Sequence, residues 1–238
     1  MLETYIIIHF HQIKSRDIHR KKECRFYQDK ISFEYPKKLS SFILSITAMN
    51  GSSGSTNGLA NHHEEEKMIT FNALDARTEL KLLQSHLTSD KDHQTAKDLQ
   101  KFMLTKEDNS WILDDQVHGL IKQILVNGTG DAKLRILRVL AVCALKDNFI
   151  NILNLDRKDR VIMNFATKFK NIQINEQKAL AMLICNLFSN SKTASYALYF
   201  SGWTPNGQDE QCCNAQIVVQ LAANCLSSKN PMLIQIGK

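Results

Sequence analysis

The chain has 238 residues, 43% of them apolar, enough for one sizeable packed domain and an extension. Only three prolines and nine glycines interrupt it, which argues against a many-turned β fold. The formal net charge of +6 falls mainly on residues 1–40, with nine Lys/Arg against five Asp/Glu, whereas residues 61–238 hold 21 against 19, so no general nucleic-acid-binding surface is expected there.

Taken in order, residues 1–60 read as a poorly ordered extension. The run Tyr5–Phe10 is too short, and too rich in histidine around it, to serve as a signal peptide. "RDIHRKKECRFYQDK" mixes basic and aromatic residues and supplies a possible RNA contact, diluted by its acidic neighbours. "NGSSGSTNGLAN" is composed like a flexible linker. No stretch is long and apolar enough to suggest a membrane span, so a cytoplasmic and also nuclear location is the expectation.

Residues 61–238 then show helical periodicity. "HHEEE" (His62–Glu66) beside the linker reads as a solvated polar run rather than a metal site. Met68–Phe71 reads as a short extended segment, with Asn72 or Asp75 capping the helix after it. Ala76, Leu80, Leu83 and Leu87 fall at steps of four, three and four, one face of a helix. Ala96, Leu99 and Met103 repeat the signal, and Trp111 opens a further apolar run as a core anchor. Val117, Leu120, Ile121 and Ile124 form the next stripe, capped by Asp114 or Asp115, and "NGTGD" separates it from its successor. Trp203 sits in the loop "SGWTPNGQDE", where packing over adjoining helices is the expected role.

Three apolar stretches can be laid over one another: "LRVLAVCAL" from Leu137, "AMLICNLFS" from Ala181 and "VQLAANCLS" from Val219, at offsets of 44 and 38 residues. Spacings near 40 residues are those of helical repeats, so the expected fold is all-α, an armadillo/HEAT-like right-handed α-solenoid following the poorly ordered extension. Equivalent positions on the innermost helices of such a fold line one concave face. The second position of the aligned stretches is Arg138, Met182 and Gln220, and the sixth is Val142, Asn186 and Asn224. Arg135 shares a face with Arg138, and two guanidiniums at that spacing suit a carboxylate. Asn186 and Asn224 offer donor and acceptor to an extended peptide. The expected partner-binding groove is therefore Arg135, Arg138, Asn186 and Asn224.

No catalytic, cofactor or metal site is expected. Cys24, Cys143, Cys185, Cys212, Cys213 and Cys225 form no CxxC pair and read as free thiols of a reducing compartment. "NGTGD" lacks the Lys-Ser/Thr of a phosphate-binding loop.

Over Met68–Lys238 the chain resembles the PUL domain, the C-terminal module of phospholipase-activating-protein-like ubiquitin cofactors. The resemblance rests on "MITFNALDARTELKLLQSH", "LRILRVLAV", "ALAMLICNLF" and "VVQLAANCLS", in that order. It implies an armadillo-like solenoid whose basic groove docks the acidic C-terminal tail of the AAA ATPase valosin-containing protein, within ubiquitin-dependent protein turnover. Arg138 matches the family's groove arginine, and Asn186 and Asn224 match its helix asparagines; Arg135 lies outside the motif. Met182 stands where relatives often carry Arg, and the chain stops about where a last repeat would begin, so a copy truncated at its C-terminus is the expectation. The alternative is a generic helical scaffold with an unrelated partner.

Overall fold

Asp75 accepts hydrogen bonds from the backbone N–H groups of Arg77 and Thr78, and so caps the first helix, α1 (Ala76–Gln84). The structure is a computed structural model, and it describes residues 71, 75–104 and 113–237. The boundary at residue 60, the basic segment, His62–Glu66, Trp111 and Cys24 lie outside the described residues.

The helices that follow obey similarly local rules. α2 spans Asp90–Leu104 and buries Ala96, Leu99 and Phe102. α3 spans Asp115–Asn127, is capped by Asp114, and buries Val117, Leu120, Ile121 and Ile124, the stripe expected from periodicity. Thr129 caps α4 (Gly130–Cys143). The chain turns so tightly between them that a Cβ on Gly128 would lie 2.5 Å from the Ile124 carbonyl oxygen, which explains the glycine. α5 (Ile150–Asp159) and α6 (Val161–Ala166) meet at Arg160, whose φ of 50° is left-handed. α7 (Ile174–Leu187), α8 (Ser191–Ala197), α9 (Asn214–Leu226) and α10 (Pro231–Gly237) complete the described order. Among the described residues no strand forms; Trp203 and Cys212 make one isolated antiparallel bridge.

The described residues lie in one compact unit. Within it, helices three places apart pack on one another: α1 on α4, α4 on α7, α7 on α10; α3 on α6 and α6 on α9; α5 on α8. The α4–α7 contact is the most extensive, and it explains why both are apolar nearly all round: each is covered on two sides by partners in its row. Ile136, Leu137, Val139 and Leu140 of α4, and Leu180, Leu183 and Ile184 of α7, are fully buried.

The packing differs from the sequence alignment in one respect. The stretches from Leu137 and Ala181 fall in α4 and α7, which are neighbours in one row. The stretch from Val219 falls in α9, in the row of α3 and α6, and α10 takes the equivalent place against α7. Buried helices draw on the same Leu, Ala, Val and Cys, so composition alone cannot separate one row from another.

A candidate functional site centred on a shared carboxylate

Arg135 and Arg138 stand three residues apart on the side of α4 that faces α1. Between them lies Glu79 of α1. The Arg135 Nη1 donates to Glu79 Oε2 at 2.9 Å and the Arg138 Nη1 donates to Oε1 at 2.6 Å, so one carboxylate is divided between two guanidiniums. The Glu79 side chain is 11% exposed, against 20% and 28% for the two arginines. Arg138 Nε is buried without a hydrogen-bond partner, so this guanidinium has donor capacity left.

The network extends toward solvent. Arg135 also donates from Nη2 and Nε to Asp131, one turn earlier on α4, and His86 Nε2 meets Asp131 Oδ2 at 2.9 Å. The Arg135 hydrogen bonds, and then that of His86, hold the Asp131 carboxyl below the usual carboxylate range, against a smaller opposing effect of burial. Glu79 and then Asp131 stabilise the charged form of Arg135. A lowered folded-state value means that the stabilisation is present above the unfolded value and is lost as pH falls through the folded one. In an NMR pH titration the Asp131 carboxyl is expected to titrate below its usual value, and to move back up in Arg135→Gln.

Asn186 lies inside the fold, 0% exposed. Its Nδ2 donates to the carbonyl oxygens of Ala141 on α4, at 2.7 Å, and of Phe71, at 3.2 Å; the Phe71 N–H donates to its Oδ1 at 2.9 Å. The amide therefore pairs with both backbone groups of one residue, the geometry expected for an extended peptide, and the peptide it holds is the chain's own. Asn224 is half-buried on α9 and so belongs to a different row of helices. Arg135 and Arg138 are thus brought together, Asn186 sits deeper on the neighbouring α7, and Asn224 is not part of the cluster around Glu79. Trp203 is buried, with its Nε1 donating to Asn214.

Sequence reasoning missed Glu79, although a signal existed. Ala76, Glu79, Leu80 and Leu83 fall at the spacings of one helix face, so Glu79 is an acid placed on an apolar stripe. Asp156 stands in the same relation to Ile152 and Leu153 on α5. It is 0% exposed and accepts from His118 Nε2, from the hydroxyl of Tyr196, and from the backbone N–H groups of Val161 and Ile162.

Burial pushes the thiols of Cys143 and Cys225 up to about 12, and those of Cys185 and Cys212 up to about 11, so all four are protonated at neutral pH. Among the described residues no three of His, Cys, Asp and Glu gather as a metal site would require, and no helix is long and apolar enough to cross a membrane. Comparison of the chain with protein-family models, with curated proteins and with solved structures returns no match.

Proposed function

We propose that this chain is a non-catalytic protein-binding module of armadillo-like build, docking an acidic C-terminal tail through Arg135 and Arg138. The packing of helices three places apart supports a repeat of three helices per unit, stacked as in a solenoid. The observation that carries the binding reading is the carboxylate shared between Arg135 and Arg138. Two guanidiniums held so that each contributes one donor to a single carboxylate are shaped for a carboxylate ligand, and Glu79 takes that place within the chain. An incoming acidic tail exchanges with Glu79, whose side chain can swing out while Leu80 and Leu83 keep α1 anchored. The resemblance to the PUL domain names the partner: the tail of valosin-containing protein, in ubiquitin-dependent turnover.

The test is a titration of that tail peptide into the full chain by calorimetry. Arg138→Glu places a carboxylate opposite Glu79 and is expected to weaken binding at least about tenfold, with helical circular dichroism retained. Wild-type protein that does not bind at high micromolar peptide would sink the tail-docking reading and leave only the helical fold.

A further inference from the structure

We propose that Arg157 and Arg160 form a second docking surface, separate from the Glu79 cluster, for an acidic segment of a partner protein. The two side chains lie over aromatic rings supplied by one neighbouring segment: the Arg157 guanidinium is 5.5 Å from the centre of the Tyr199 ring, and that of Arg160 is 5.1 Å from the centre of the Trp203 ring. Stacking occupies the flat face of a guanidinium and leaves its N–H edge available, while it fixes the orientation of an otherwise mobile side chain.

The platform beneath them is rigid. Trp203 is buried, exchanges two backbone hydrogen bonds of 2.8 Å with Cys212, and donates its indole N–H to Asn214. Arg160 is held in its left-handed conformation by backbone bonds on both sides, from its own N–H to Asp156 and from the Asn164 N–H to its carbonyl. A non-glycine residue in that region carries a conformational cost, which the surrounding bonds offset, and the outcome is a guanidinium aimed over Trp203.

Arg77 and several exposed lysines also lack an ion pair among the described residues, so what sets Arg157 and Arg160 apart is an unmatched charge held over an aromatic ring. Arg135 and Arg138 are matched by Glu79, Lys122 by Asp159 and Lys101 by Asp98. Among the described residues, neither the Arg157 nor the Arg160 guanidinium is in a hydrogen bond or an ion pair, and exposed Lys158 lies between them in sequence. Two guanidinium forks and an ammonium within four residues, with the one intervening acid, Asp159, turned to Lys122, match a short segment carrying one or two carboxylates. A nucleic acid needs a longer basic track along its phosphates.

The experiment uses the full chain and a fluorescein-labelled octapeptide of alternating Glu and Gly, followed by anisotropy at low salt. The double variant Arg157→Gln/Arg160→Gln is expected to weaken binding about tenfold or more, and Arg157→Lys/Arg160→Lys, which keeps charge but loses the planar fork, about threefold. In an Arg138→Glu background, where the tail-docking site is removed, the Arg157→Gln/Arg160→Gln change is expected to weaken the remaining binding by a similar factor, which separates the two surfaces. Binding that ignores the Arg157 and Arg160 variants, or no binding by wild type, overturns the proposal. So does single-stranded RNA that binds more tightly than the peptide and competes with it. Should the glutamine double variant lose its helical signal, exposed Lys158→Glu decides: weakened binding supports the surface, and unchanged binding overturns it.

Discussion

Replacing Asp156 with alanine is expected to destabilise the fold by about 3–5 kcal/mol, read as a fall in the urea unfolding midpoint. The carboxylate is fully buried and is the acceptor for four donors drawn from three helices: His118 on α3, the first two N–H groups of α6, and Tyr196 on α8. Burial, and then the neighbouring Asp156, push the Tyr196 hydroxyl well above its ordinary value, so it remains a donor at any ordinary pH. Alanine would strand all of these groups in a place that water cannot reach, and a buried donor without an acceptor costs about 1–3 kcal/mol. Asp156→Asn retains one carbonyl acceptor and is expected to cost less than alanine. Tyr196→Phe removes a single donor and is expected to cost least, about 1–2 kcal/mol. An alanine variant as stable as wild type would show that the carboxylate does not tie α3, α5, α6 and α8 together.

For Glu79→Gln, stability and affinity are expected to move in opposite directions. The amide keeps an oxygen for one arginine but gives up the charge that both arginines share, so the fold should lose about 1–2 kcal/mol in urea unfolding. The same change leaves Arg135 and Arg138 with more unmatched positive charge. Binding of an acidic tail peptide at this site should then tighten about tenfold, because the ligand no longer competes with an internal carboxylate. A purely architectural Glu79 would give the stability loss with no gain in affinity. A loss of affinity together with stability would mean that Glu79 positions the arginines for the ligand rather than standing in for it. Salt dependence gives a second reading of the same point, since the variant carries one more net positive charge at the site and should bind with a steeper decline as salt rises.

Much of the local structure is legible in the sequence alone. Asp75 and Asp114 cap their helices because a short side-chain oxygen beside an apolar-periodic run satisfies free N–H groups wherever it occurs. The stripes of α1, α2 and α3 follow from the 3.6-residue period in the same way, and so does the helical class of the described residues. These are properties of a few consecutive residues and need no partner to define them. The pairing of Arg135 with Arg138 was readable too, since residues three apart on a helix share a face.

Contacts across long stretches of chain were not. Glu79 reaches Arg135 and Arg138 over more than fifty residues, and Asn186 reaches Phe71 over 115. The sequence shows two arginines suited to a carboxylate and an asparagine suited to an extended backbone; it does not show that the chain supplies both partners itself, from Glu79 and Phe71. Nor does it distinguish α9 from α10 as the helix equivalent to α7, because the apolar residues that bury a helix are the same in every row. A side chain's chemistry, and the face of the helix it occupies, are set locally by the amino-acid sequence. Which group meets it there, and whether its charge is already matched, depends on how helices distant in the chain stack, and that stacking decided that Arg135 and Arg138 hold Glu79 while Arg157 and Arg160 rest on aromatic rings with their charge unmatched among the described residues.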